Sequence, residues 1–191
     1  MKIKEIMKNC LKRKHMVIYR HGEDQWISDG FSVYLASGIP RLDEDGVQRL
    51  FDIPYRKWEK MSFSSCDGLP GNICFEDSDN GERELSISTK LIGPGGEKYL
   101  VAKTRKGVYF LDEDELKPLA FDIYTKIFER ESTDGIYFAV KDGVFLRAII
   151  SPVNMATDDL AEEFREIAFG LQQVVREKNR ETQLDIGEED I

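Results

Sequence analysis

The sequence is poor in the residues on which most catalytic and metal sites depend. Its 191 residues include two histidines, His15 and His21, and three cysteines, Cys10, Cys66 and Cys74. An odd and sparse cysteine count disfavours a disulfide framework and is typical of a reducing compartment. Cys10, His15 and His21 are spaced by five and six residues, unlike the close ligand pairs of structural zinc sites. The sequence therefore predicts no metal site, no cofactor and a cytoplasmic location.

Long apolar runs are also missing. No run approaches the ~20 residues that span a bilayer, and the opening MKIKEIMKNCLKRKHM lacks the apolar core of a secretory signal. Thirty-six acidic against 27 basic side chains give a formal net charge of −9, which disfavours nonspecific binding to DNA or anionic membranes. We therefore expect no membrane association, although a local basic patch is compatible with this charge.

Apolar periodicity and turn signals predict an α+β fold, with antiparallel sheets and packed helices. Residues near the N-terminus recur at spacings of three and four, which predicts an amphipathic helix with one apolar face: Ile3, Ile6, Met7, Cys10 and Leu11. Stretches such as MVIYRH, FSVYLAS and KYLVAK are typical of strands, and GIYFAVKDGVFLRAII predicts a hairpin that turns at Asp142 and Gly143.

A long helix is predicted from about Thr157, because apolar residues recur there at alternating spacings of four and three. We expect Phe164, Ile167 and Leu171 to be buried against the protein's own sheet. Pairing of this helix with its copy in a dimer is the alternative, since the spacing is close to a heptad repeat.

The order helix, hairpin, helix is predicted twice, over residues 3–51 and again over 119–178, where residues 119–128 form the first helix. This order suggests an internal duplication. No linker divides the chain, so residues 1–178 are predicted to form a single α+β domain, with two similar halves as the alternative. Residues 179–191 are polar and aperiodic, and we expect this tail to fray.

Two similar acidic stretches, LDEDGVQRLFDI and LDEDELKPLAFDI, suit either helix starts or metal binding. An aspartate that precedes a helix accepts hydrogen bonds from the free amides of the first turn. Asp43 and Asp112 are therefore predicted to be N-caps, with Glu115 as a capping-box partner of Asp112. Neither stretch has the spacing of a calcium loop, so the cap interpretation is favoured.

The N-terminal helix also carries a basic face, and aromatic residues follow it in the strands. The candidate nucleic-acid face consists of Lys4, Lys8, Lys12, Arg13 and Lys14. Lysines with neighbouring aromatic rings can bind phosphates and stack bases. Lysines on the far side of an amphipathic helix are more often solvated, which is the competing interpretation.

Two further polar residues are candidates for a site. Asp29 follows Trp26 at the edge of an apolar run, although an Asp-Gly turn also explains it. Cys66 lies in a turn-like context, and as a nucleophile it would need a histidine brought to it in space. The sequence contains no recognisable catalytic set.

Three functions follow from these patterns. The first is a non-enzymatic cytoplasmic interaction or accessory protein that binds a protein partner or a second copy of itself. The second is a DNA-associated module, because the helix-hairpin-helix order resembles the architecture of sliding clamps, which present basic helices to the duplex. The third is an enzyme of unknown class that uses Cys66 or Asp29 with one of the histidines.

Overall fold

The computed structural model of the protein describes residues 1–92, 96–119, 122–153, 162, 165–166 and 169–176. The chain divides into two compact units, Met1–Val153 and Asn154–Ile191. In the second unit, residues 162, 165–166 and 169–176 are helical. Leu171 is 61% exposed there, and its predicted burial against the sheet, which belongs to the other unit, stays a prediction. Phe164, Ile167 and the tail 179–191 lie outside the described residues.

The first unit combines helices and strands, which confirms the α+β class. Its helices are α1 (Ile3–Arg13), α2 (Glu44–Leu50), α3 (Tyr55–Trp58) and α4 (Glu113–Leu116). Its strands are β1 (His15–His21), β2 (Asp24–Ser28), β3 (Ser32–Leu35), β4 (Ser62–Asp67), β5 (Arg83–Glu84), β6 (Ile87–Ile92), β7 (Lys98–Thr104), β8 (Gly107–Asp112), β9 (Thr125–Ser132), β10 (Gly135–Asp142) and β11 (Phe145–Ile150). No helix in the described part of the chain is long and apolar enough to cross a membrane.

The strands form two sheets. Eight strands pair in the order β4-β1-β2-β3-β11-β10-β9-β5, and β6-β7-β8 form a smaller antiparallel sheet. In the large sheet β4 runs parallel to β1, whereas the other neighbouring strands of the described chain are antiparallel. The large sheet is therefore mixed, whereas the sequence predicted antiparallel sheets. The segment that contains α2 and α3 returns the chain past β1 before β4 begins, and such a crossover gives parallel pairing.

The large sheet consists of two meanders that meet at their last strands. Helix α1 precedes β1-β2-β3, α4 precedes β9-β10-β11, and β3 pairs with β11. The helix predicted over 119–128 is wrong, because strand β9 begins at Thr125 and pairs with β10 along its full length. The second meander is thus a helix followed by three strands, and the helix-hairpin-helix duplication is not confirmed.

Apolar side chains pack on both faces of the large sheet. On one face, Ile6 and Met7 of α1 and Leu116 of α4 pack against sheet residues such as Tyr34 and Phe138. Ile3 and Leu11 lie partly buried against the same cluster, so the predicted apolar face of α1 is confirmed. We call this face of the sheet the helix face.

The opposite face carries a second cluster, which includes Trp26, Tyr137 and Ile149. Residues 68–82, which connect β4 to β5 without a helix or strand, cross this face, and we call them the strap. The Phe75 ring of the strap packs edge-on against Trp26, with 5.0 Å between ring centroids. The sheet therefore has helices on one side and an irregular segment on the other.

Both acidic stretches begin helices. The Asp43 carboxylate accepts a hydrogen bond from the Gly46 N–H at 2.7 Å, and Asp112 accepts one from the Asp114 N–H at 2.9 Å. The N-cap predictions are confirmed. The capping-box role of Glu115 is wrong, because this side chain points into the protein and contacts Arg13 and Tyr34.

Candidate functional site

Arg13, the last residue of α1, lies between two buried carboxylates from other elements. Its Nη1 atom contacts an oxygen of Asp29, in the β2–β3 turn, and lies 2.5 Å from Glu115 Oε1 in α4. The guanidinium also lies over the Phe31 ring, 4.3 Å from its centroid. This cluster joins the end of α1, a turn of the sheet and α4, and we call it the Arg13 cluster.

Asp29, a candidate from the sequence, is held on both of its oxygens. Oδ1 accepts hydrogen bonds from the backbone N–H groups of Phe31 at 3.0 Å and Ser32 at 2.8 Å, while the other oxygen contacts Arg13. Gly30 has a φ of +95°, and a Cβ atom there would lie 3.0 Å from His15 Cδ2. The turn thus needs a glycine, and it brings His15 to the edge of the Arg13 cluster.

Glu115 and Tyr34 form the deepest part of the cluster. The Tyr34 hydroxyl donates to Glu115 Oε2 at 2.8 Å. Burial raises the pKa of Glu115, and the nearby Asp29 raises it further, against the opposing effect of Ser32, Tyr34 and Arg13. The cluster is therefore sensitive to protonation of Glu115.

Cys10 also borders this cluster, and its thiol is unreactive by environment. Burial raises the pKa of Cys10, and the Asp29 and Glu115 charges add to that rise. The thiol donates weakly to the Ser28 carbonyl oxygen at 3.8 Å. A buried thiol that stays protonated is a poor nucleophile. Arg13 joins the end of α1 to Asp29 in the β2–β3 turn and to Glu115 in α4, so the Arg13 cluster is suited to fixing the two helices on the sheet.

The candidate nucleic-acid face is partly neutralised by carboxylates. Lys8 pairs with Glu5 at 2.6 Å, and Lys12 pairs with Asp114 at 3.1 Å, while Arg13 is engaged in its cluster. Burial lowers the pKa of Arg13, but the Asp29 and Glu115 carboxylates outweigh that effect and raise it, so Arg13 stays charged in its cluster. The remaining candidates, Lys4 and Lys14, are exposed and form no ion pair with the described residues.

Cys66 and Asp29 are not brought together. Cys66 is exposed on β4, at the outer edge of the sheet, where its partner on β1 is Tyr19. Asp29 lies at the far side of β2, in the β2–β3 turn. The other histidine, His21, is exposed at the end of β1. Cys66 is therefore separated from Asp29, whereas His15 lies against Gly30, the residue that follows Asp29.

A second buried charge cluster, which sequence reasoning missed, fastens the strap. The Arg130 side chain donates to Glu82 Oε2 from Nε at 2.8 Å and from Nη2 at 2.7 Å. Its Nη1 donates to the carbonyl oxygens of Cys74 at 3.0 Å and Glu76 at 2.9 Å. Lys141 contacts the other oxygen of Glu82. The cluster joins residues about fifty positions apart, and the one local signal is a run of charges in strand β9.

Burial and hydrogen bonding act in opposite directions on Glu82. Burial opposes its ionisation, but hydrogen bonds from Lys141 and Arg130 outweigh that effect and lower the pKa of Glu82. The carboxylate therefore stays charged and keeps both cations in place. This holds the strap against the second meander.

The end of the second meander exposes four large apolar side chains. Ile123 is 85% exposed, Tyr124 63%, Val144 69% and Phe145 56%. Ile123 and Tyr124 lie in one turn, Val144 lies in another, and Phe145 begins β11. The two turns are adjacent, because the Gly143 N–H donates to the Tyr124 carbonyl oxygen at 3.1 Å. We call this group the apolar tip. Exposed apolar groups of this kind mark surfaces that bind other molecules.

Among the described residues, no group of three or more His, Cys, Asp or Glu side chains is placed to hold a metal ion. Comparison with protein-family models, with curated protein sequences and with solved structures found no match to this chain.

Proposed function

We propose that the protein is a non-enzymatic interaction protein, which binds a protein partner through the apolar tip. The carrying observation is the exposure of Ile123, Tyr124, Val144 and Phe145 in or next to two adjacent turns. Isolated exposed apolar residues are common on protein surfaces, whereas a contiguous group lowers its free energy by burial against a partner. We propose a cytoplasmic location, which the three free cysteines support.

The charges around the tip favour a protein partner over an anionic membrane. Asp122 lies next to Ile123 in the same turn, and Asp142 precedes the turn that carries Val144. Asp142 is partly balanced by Arg147, at 3.5 Å. Acidic side chains at the contact surface oppose binding to an anionic bilayer, but they fit the polar rim of a protein interface.

Comparative co-purification from the native cell tests this proposal. The wild-type chain, a Phe145→Asp variant and a Tyr55→Asp control would be tagged and recovered under identical conditions. Tyr55 is a suitable control because it is 70% exposed on α3, away from the tip. We expect the same partner with wild type and control and a loss of at least about tenfold with Phe145→Asp. Equal recovery with all three chains would refute the role of the tip.

The paired meanders support a second candidate, a DNA-associated module whose architecture resembles that of sliding clamps. In this candidate each helix followed by three strands is one copy of a duplicated unit, and α1 and α4 lie side by side on the helix face. The Asn9 side-chain amide donates to the Asp114 carbonyl oxygen at 3.1 Å, and the Lys2 N–H donates to the Pro118 carbonyl oxygen at 2.6 Å. The exposed lysines at this end of the chain, Lys4, Lys8, Lys12 and Lys14, would face the duplex.

A mobility-shift assay on duplex DNA over a salt series tests this second candidate. Replacing Lys4 and Lys14 by Glu should weaken binding and reduce the salt slope by about two, because two phosphate contacts are lost. Replacing Lys57 and Lys60 by Glu, which changes the net charge equally, serves as the control. Absence of a shift at low salt, or equal weakening in both double variants, would remove this candidate.

A further inference from the structure

Strand β4 leaves one edge of the large sheet open. It is the first strand in the sheet order, and among the described residues it has a neighbour, β1, on one side only. Five of its six residues, all except Phe63, have exposed side chains. An open edge presents a row of backbone donors and acceptors to any second strand.

The hydrogen bonds to β1 show which backbone groups of β4 point outward. The Ser62 N–H donates to the Lys14 carbonyl oxygen at 2.9 Å, and the Gly68 N–H donates to the Arg20 carbonyl oxygen at 2.7 Å. Because the direction alternates along a strand, residues 62, 64, 66 and 68 face β1. The N–H and C=O groups of Phe63, Ser65 and Asp67 therefore face away from the sheet. Their N–H groups form no hydrogen bond within the described chain.

The edge also lacks the usual protection against pairing. Native edge strands are blocked by lysine, proline, bulges or covering segments. Strand β4 has the sequence SFSSCD, without lysine or proline, and it pairs with β1 in an uninterrupted register. Four of its six residues are serine or cysteine, whose small side chains leave the outer backbone groups accessible.

We propose that two copies of this chain pair through β4, antiparallel and with the two-fold axis at Ser65. This register places Ser65 opposite Ser65 of the second copy and Phe63 opposite Asp67. Every outward N–H and C=O group of these three residues is then paired. The pairing joins the two eight-stranded sheets into one continuous sheet, and it uses a surface separate from the apolar tip.

Asp67 is the single charged residue of β4. The acidic Asp67 faces Phe63 of the second copy, so no like charges are directly opposite, which would be destabilising. A single pair of added strands lies at the low end of interface sizes. We therefore expect a reversible dimer with a dissociation constant of roughly micromolar size.

Sedimentation of the full chain over a range of concentrations tests the pairing. Ser65→Pro removes an outward N–H that the monomer does not use, so it should leave the fold intact and weaken the dimer by at least about tenfold. Ser65→Lys keeps the backbone and places two lysines opposite each other, with the same expected result. Thr133→Lys, in the exposed β9–β10 turn, adds the same charge elsewhere and should leave the dimer unchanged.

Disulfide formation tests the register. Ser64 and Cys66 of the second copy would be directly opposite in a narrow pair, with Cα atoms about 4.5 Å apart, which a disulfide can bridge. Ser64→Cys should therefore yield a covalent dimer under mild oxidation. In the double variant Ser64→Cys, Cys66→Ser the remaining thiols are diagonal neighbours about 7–8 Å apart, too far for a disulfide, and no covalent dimer should form.

The expected result is a concentration-dependent wild-type dimer, loss of that dimer in both Ser65 variants, and cross-linking by Ser64→Cys alone. A dimer that survives both Ser65 variants would overturn the proposal and point to another surface of the chain. A wild-type chain that is monomeric at all concentrations would also overturn it, and would leave the edge to an extended segment of another protein. Equal cross-linking with and without Cys66 would contradict the register.

Discussion

Replacing Arg130 by methionine should strongly destabilise the protein, because its guanidinium is buried and all three of its nitrogens donate hydrogen bonds. The side chain is 0% exposed and donates to the Glu82 carboxylate and to the carbonyl oxygens of Cys74 and Glu76. Methionine preserves much of the apolar contact and removes every donor. The change therefore isolates the contribution of the charge cluster from that of packing.

The expected loss of stability follows from the hydrogen bonds that Arg130→Met removes. Loss of the charge-assisted interaction with Glu82 should cost about 1.5–3 kcal/mol. Loss of the hydrogen bond to each carbonyl oxygen should cost about 1 kcal/mol, because water can reach the carbonyl groups of the strap. The total of about 3.5–5 kcal/mol agrees with the 3–5 kcal/mol typical of a broken buried ion pair. Lys126→Met, on the same strand, removes an exposed pair with Glu84 at 2.8 Å and should cost about 0–1 kcal/mol.

Urea unfolding followed by tryptophan fluorescence measures both variants, and Trp26 lies beside the strap. The pH dependence adds a sign test. Because the folded-state pKa of Glu82 is lowered, its stabilisation is present above its ordinary pKa and is lost as pH falls through the lowered value. The cost of Arg130→Met should therefore shrink in acid. A cost equal to that of Lys126→Met at neutral pH would refute the reasoning.

Two further predictions concern the helix face. Because the folded-state pKa of Glu115 is raised, its contribution to stability is present below its ordinary pKa and is lost as pH rises through the raised value. The Glu115→Gln variant should therefore gain stability relative to wild type as pH rises. Denaturation midpoints that differ by the same amount at all pH values would contradict this. Leu11→Ala should cost about 2 kcal/mol in thermal or urea unfolding, because Leu11 packs partly buried against the core. Lys8→Ala should change stability by less than about 0.5 kcal/mol, because its ion pair with Glu5 is exposed; an equal loss in both variants would place the helix differently.

Local patterns predicted the elements whose periodicity agrees with their burial. The apolar spacing of α1 corresponds to the side chains that it buries, and the turn at Asp142 and Gly143 joins β10 to β11 as expected. Asp43 and Asp112 also lie where their chemistry places them, because N-capping depends on neighbouring residues only.

The wrong predictions concern segments whose structure depends on residues that are distant in the sequence. Ile123, Tyr124 and Ile127 have helical spacing, but pairing with β10 makes Thr125–Ser132 a strand and leaves Ile123 and Tyr124 exposed in the preceding turn. Tertiary pairing overrides local propensity in such segments. The serine-rich β4 has little apolar patterning, since an edge strand buries little of its surface, and it was predicted as a turn around Cys66.

The candidate sites follow the same division. Asp29 was recognisable because it follows an apolar run. Glu115, the other carboxylate that contacts Arg13, is distant from it in the sequence and was predicted to be the capping-box partner of Asp112. The charge cluster of Arg130, Glu82 and Lys141 was not predicted, because no local spacing connects Glu82 and Lys141 to Arg130. The apolar tip arises from two turns that the sheet brings together. Each of these sites forms because the fold brings together residues that are distant in the sequence.

Site-specific photo-crosslinking in the native cell tests the central claim most directly, because it reports contact at one chosen side chain. A photoreactive amino acid would replace Phe145 in the tip and, in a matched chain, Tyr55 on α3. The account predicts one discrete protein adduct at position 145, absent at position 55 and abolished by Ile123→Lys within the tip. Adducts of the same kind at both positions, or none at position 145, would contradict the claim that the tip binds a protein partner.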